Sequence, residues 1–248
     1  MVSANRLLFF LPVLGALATP TDSTTAPAVA RSSEFLEHMG ALISNATGDA
    51  NLEKRDSTFK TSKDGVDPAG FYYSLYNANG AGAEYSEFEN SGQFKLSWNT
   101  NSEFLGGKGF KGGSPRSLSW DGQFQAEGDF TLAVYGWTTD PVTEWYVVEA
   151  HGTGTPGNGH ILGQVEDDGG IYDVYMLPYR NVPEIYGVTN FNQLWSVRRE
   201  ARHTGTVDVA AHFKRWQELG LKPGNPVFQM VTAEGFKGSG KLDFTLRK

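Results

Sequence analysis

From Gly70 onward the chain is written in short runs of alternating side chains, each closed by Gly, Asn, Asp or Pro. GFYYSLYN, GQFKLSWN, FTLAVYGW, EWYVVEAHG, GIYDVYMLPY, LWSVRRE, FQMVTAEGF and GKLDFTL are examples. Alternation puts successive side chains on opposite faces of a strand, and many short strands between turn signals predict an all-β sandwich or barrel. One segment breaks the period. VDVAAHFKRWQELGL carries Val209, Phe213, Trp216 and Leu219 at steps of four, three and three, a single helical stripe. Asp208 is placed to cap its N-terminus and Gly220 to end it. His212 on this helix reads as a packed or surface residue.

Composition narrows the function. The chain of 248 residues has 6 Trp, 10 Tyr, 16 Phe and 30 Gly, enough rings to line a cleft as well as fill a core. Its net charge of −7 and lack of a basic stripe argue against nucleic acid. With no cysteine, the core has no disulfide support, and thiol nucleophiles and cysteine metal sites are excluded.

The first 55 residues read as processing signals. Arg6 precedes LLFFLPVLGALA, which ends in a small-residue pattern, so residues 1–18 are expected to be a signal peptide and the chain to be secreted. Residues 19–55 are rich in Ala, Ser, Thr and Pro, contain the amphipathic patch EFLEHMGALI, and end in the dibasic pair Lys54-Arg55. They read as a propeptide removed by a dibasic-specific processing protease, leaving a single domain over 56–248. The Asn45-Ala46-Thr47 sequon falls inside that segment. No later apolar run is long enough to span a membrane.

The stretch PVTEWYVVEAHG holds two glutamates. Alternation puts Glu144, Tyr146 and Val148 on one face and Trp145, Val147 and Glu149 on the other. The large apolar pair Trp145 and Val147 belongs in the interior, so Glu144 and Tyr146 face a free surface or cleft. Glu149 reads as a solvated carboxylate at the strand end. In QMVTAEGFKGSG, Thr232, Glu234 and Phe236 share a face, and apolar surroundings there should raise the pKa of Glu234. Glu144, beside tyrosines that can donate hydrogen bonds, is better placed to stay ionised. One raised and one ordinary carboxylate is an arrangement for cutting glycosidic bonds. On periodicity alone the pairing stays open, since many strands carry a glutamate.

Longer motifs supply what spacing does not. GQFKLSWNTNSEFLGGKGF, AVYGWTTDPVTEWYVVEAHGTGTP, GQVEDDGGIYDVY, FNQLWSVRRE, GTVDVAAHFKRWQELGL and VTAEGFKGSG, in that order, resemble glycoside hydrolase family 11, the compact endo-β-1,4-xylanases. The resemblance runs from about Gly70 to the last residues. It implies a β-jelly roll of two twisted sheets with a single α-helix and a cleft for a xylan chain, with no metal or cofactor; a monomer is the default expectation. It implies retention, with Glu144 as nucleophile and Glu234 as acid/base. Tyr76, Tyr135, Trp137, Tyr146, Gln193 and Phe236 are implied as substrate-binding, and RNVPEIYG, with Asn181 and Pro183, as a loop that closes over the cleft.

Four positions depart from the family pattern. Tyr76 stands where a tryptophan usually stacks on a sugar. Tyr179 takes the place of an arginine, with Arg180 one position on, and Glu184 replaces a serine. Glu103 takes a position usually held by Asn or Asp beside the acid/base, where Asp accompanies acidic optima, so an acid-shifted profile is expected. Two other functions remain in view: activity on another β-1,4-glycan, and a weakly catalytic glycan-binding or host-recognition protein.

Overall fold

The computed structural model describes residues 31–44, 56–154, 156–157, 159–182 and 187–248. The signal-like segment, the sequon, the dibasic pair, Pro183 and Glu184 lie outside the described residues. In chain order the elements are α1 (Ser33–Ser44), β1 (Ser57–Phe59), β2 (Lys63–Val66), β3 (Tyr72–Asn77), β4 (Ala83–Glu87), β5 (Gln93–Thr100), β6 (Phe104–Lys111), β7 (Ser117–Thr139) and β8 (Thr143–His151). Then follow β9 (Gly163–Asp167), β10 (Gly170–Tyr179), β11 (Phe191–Arg198), β12 (Gly205–Asp208), α2 (Val209–Glu218) and β13 (Asn225–Arg247).

Two strands of 23 residues, β7 and β13, organise everything else. They pair antiparallel along nearly their whole lengths, and each serves two layers. The first half of β13 pairs β6 and its second half pairs β5. β7 pairs β12 near its start and β8 near its end. One layer is therefore β1-β4-β5-β13-β7-β12 and the other β2-β3-β6-β13-β7-β8-β11-β10-β9. Short alternating runs in the sequence hide this continuity. The corner explains it: Gly128 and Gly238 face each other in register, at φ 93 and φ 130, where a side chain would be strained. A register shift between Gly235 and Lys237 sits beside them and sharpens the bend. The result is the twisted two-sheet jelly roll, an open sandwich rather than a closed barrel.

The core between the layers takes Phe94, Trp98 and Phe244 from one sheet and Leu75, Trp145, Val147 and Val231 from the other. α2 packs behind β8, with the Phe213 ring edge-on to Trp145 at 5.2 Å and the Trp216 Nε1 donating to Ser196 Oγ at 3.0 Å. Its limits match the sequence reading: the Asp208 carboxylate accepts from the Ala210 amide at 3.0 Å, and Gly220 turns at φ 80. His212 is a buried packing residue.

Two findings correct the sequence reading. Glu149 is fully buried, not solvated. It pairs with Arg202 and accepts from the Tyr172 hydroxyl at 2.6 Å, so its charge is compensated inside the protein. The second is a further helix. EFLEHMGALI forms α1, whose Phe35, Leu36, Met39, Leu42 and Ile43 are all buried. They lie not in the sandwich core but in a second apolar cluster on the outer, concave face of the β3-to-β10 layer.

Candidate active site

The concave face is built from neighbouring strands in register. On β8, Glu144 stands beside Trp137 of β7 and Gln193 of β11, and Tyr146 beside Tyr135 and Trp195. On β13, Glu234 stands between Thr131 of β7 and Leu105 of β6. β7 thus separates the two glutamate strands, and strand alternation turns both carboxylates to the same side.

Glu144 is enclosed by donors. The hydroxyls of Tyr135 and Tyr146 each donate to Glu144 Oε1 at 3.0 Å. Gln193 Nε2 donates to Oε2. Gln193 is itself held through its Oε1 by the Trp195 indole N–H at 3.3 Å, and Trp137 Nε1 donates to the Tyr135 hydroxyl at 2.5 Å. The Trp195 ring lies flat on Tyr146, centroids 4.0 Å apart and 4° from parallel.

A third carboxylate joins the pair. Arg31 Nη1 contacts Glu103 Oε1 at 2.9 Å and also Glu234 Oε1, while Nη2 reaches Glu144 Oε1 at 2.9 Å and the Tyr146 hydroxyl. A guanidinium is a small rigid fork, so its simultaneous contact with Glu144 and Glu234 places the two carboxyls close across one gap. Burial pushes the Glu234 carboxyl up to about 7; Arg31 opposes the rise, and the charges of Glu103 and Glu144 add to it. Burial also raises Glu144, against the lowering effects of Arg31 and of its Gln193 and Tyr135 hydrogen bonds. The sequence reading kept Glu144 at an ordinary value; complete enclosure is the reason it differs.

The other candidate residues fall around this centre. Tyr76 is buried, its hydroxyl 3.1 Å from Ser32 Oγ. Tyr179 stacks on Phe191 at 5.0 Å, and burial raises its hydroxyl to about 12. Arg180 is turned out onto the β11 edge, donating to the Phe191 carbonyl at 2.9 Å and to Asn192 Oδ1 at 3.0 Å. Phe236 is half-buried at the register shift of β13, two residues beyond Glu234. Sequence reasoning missed Trp195 and Arg31. Trp195 shares the face of Gln193 by alternation and was findable; Arg31 had no local signal.

Paired carboxylates at the bottom of an aromatic cleft, on a bent two-layer sheet, define a glycosidase. The sequence agrees: residues 68–245 match Glycosyl hydrolases family 11, and the chain belongs to that family. It is 39% identical over 198 residues to an ethylene-inducing xylanase of Penicillium digitatum, an alignment covering 79% of this chain and 90% of that one. It is 37% identical to Endo-1,4-beta-xylanase 11A of Botryotinia fuckeliana across 99% of this chain and 100% of the other. Among solved structures, an endo-1,4-beta-xylanase of Trichoderma reesei superposes with a TM-score of 0.61 at 30% identity, over 77% of this chain and all of that one.

Proposed function

We propose that this chain is a secreted endo-1,4-β-xylanase that cleaves internal bonds of xylan with retention, as a monomer without cofactor. The observation that carries the reading is the pair Glu144 and Glu234, close enough for one guanidinium to touch both, on the floor of an aromatic cleft.

In the first step Glu234, protonated, gives its proton to the leaving glycosidic oxygen while a Glu144 carboxylate oxygen attacks the anomeric carbon. In the second, Glu234 takes a proton from water, which displaces Glu144 from the glycosyl-enzyme. Retaining enzymes hold the two carboxyls about 5–5.5 Å apart. An acid/base must first give and then take a proton, and the neighbouring carboxylate of Glu144 pushes Glu234 in the direction that keeps it protonated for the first step. The hydrogen bonds from Tyr135, Tyr146 and Gln193 orient the nucleophile and support its anionic form. Tyr76, Trp137 and Phe236 are assigned to sugar binding, with Pro183 in the loop above.

Glu234→Gln should lower kcat/KM on xylan by roughly 10²–10⁴-fold, the usual worth of a positioned general acid, and Glu144→Gln should abolish turnover. Proton NMR of the first product should give the β-anomer; an initial α-anomer would rule out retention. A second reading rests on the ethylene-inducing relative, whose name couples a xylanase to ethylene induction. If ethylene induction survives in Glu234→Gln without hydrolysis, recognition rather than catalysis is the activity that matters there.

A further inference from the structure

The cleft is occupied by the chain itself. Segment 31–44 lies along the concave face and covers Tyr76, Tyr135 and Tyr146. Arg31, 3% exposed, touches all three carboxylates. Ser32 Oγ donates to Glu103 Oε2 at 2.9 Å, lies 3.1 Å from the Tyr76 hydroxyl, and accepts from the Phe35 amide at 3.1 Å at the start of α1. The Phe35 ring packs edge-on against Tyr76 at 5.1 Å, and the Tyr135 hydroxyl points at Met39 Sδ at 3.6 Å. Buried apolar residues on one side of the helix are matched by aromatic residues on the face beneath.

We propose that the carboxylate-lined cleft is a docking site for this chain's own segment Arg31–Ser44, which inhibits the enzyme in cis until the tether between Ser44 and Ser57 is cut. The proposal rests on the glycosidase reading above. Its chemistry is that of a cation held between the nucleophile and the acid/base, where glycosyl transfer develops oxocarbenium character. Arg31 cannot lose its proton, and while it bonds both carboxyls neither can reach a sugar. The helix adds area: a segment of this length spans about 18 Å of the groove.

Tethering explains how such a ligand can be both effective and removable. A segment joined by a short linker meets its site at an effective concentration on the order of millimolar, so a modest intrinsic affinity keeps the cleft filled. The Lys54-Arg55 pair lies in the linker between α1 and β1. Cleavage there makes docking bimolecular, and dilution then empties the site.

The test uses the full chain. Phenylglyoxal pulse-labelling, read residue by residue by mass spectrometry, should modify Arg31 at least about tenfold more slowly than the exposed Arg247, because labelling requires the segment to lift. Glu144→Gln/Glu234→Gln should speed Arg31 labelling selectively. In a xylan assay, Arg31→Ala, Phe35→Asp and treatment of the unaltered chain with a dibasic-specific protease should each raise kcat/KM by about tenfold or more, mostly through KM. Arg31 labelling as fast as Arg247 overturns the proposal. So does a hydrolytically active chain whose rate is the same before cleavage, after it and in both variants. Slow Arg31 labelling with no hydrolysis in any form would uphold docking and instead overturn the glycosidase reading.

Discussion

Glu103 brings a third carboxylate to the cleft floor, in contact with Arg31 and Ser32 and acting electrostatically on Glu144 and Glu234. The family pattern leads one to expect that a carboxylate here shifts activity toward acid. Coulomb's law gives the opposite sign in this structure: after burial, the Glu103 charge contributes to raising both Glu234 and Glu144. Removing it should therefore lower both values. In an Arg31→Ala background, Glu103→Gln should move both limbs of the kcat/KM–pH profile to lower pH, by about one unit or less. Movement upward would mean that proton sharing between Glu103 and Glu234 outweighs simple repulsion. Alternation was enough to tell Glu144 from Glu149 by face. It could not tell that Glu149 is charge-paired inside the protein, because Arg202 comes from a loop 53 positions later.

α2 is an element whose beginning and end could be read directly, since its cap, stripe and terminal glycine are local signals. It acts on the site only from behind, through Phe213 and Trp216 against Trp145 of β8, the strand that carries Glu144. Asp208→Ala should cost about 1 kcal/mol of stability, measured by denaturant unfolding, with KM on xylan unchanged. A changed KM would show that the helix sets the cleft and does not merely support it. α1 is the contrast. Its amphipathic pattern was visible, but a pattern says only that one face will be buried, not against what. The covering surface is assembled from β3, β7, β8 and β13, which are scattered over the sequence, and no local rule connects it to Ser32 or Arg31. β7 and β13 show a related limit: glycines and polar residues at a corner look like strand ends when the partner strand bending with them is unknown.

At the scale of the whole molecule, most contacts join distant parts of the chain, and without disulfides the fold depends on those pairings alone. β13 follows every other strand in sequence, yet it pairs β5, β6 and β7 and carries Glu234. During synthesis, then, both layers wait for the same strand, and the hydrolytic centre comes into being only when that strand arrives. A chain stopped before Asn225 should be rapidly digested by thermolysin and should hydrolyse no xylan; a protease-resistant product would refute this. The self-docking helix obeys the same timetable. It emerges before every strand but has nowhere to bind until β13 is seated, so the nascent chain is never active and unguarded: catalyst and guard become complete in a single event.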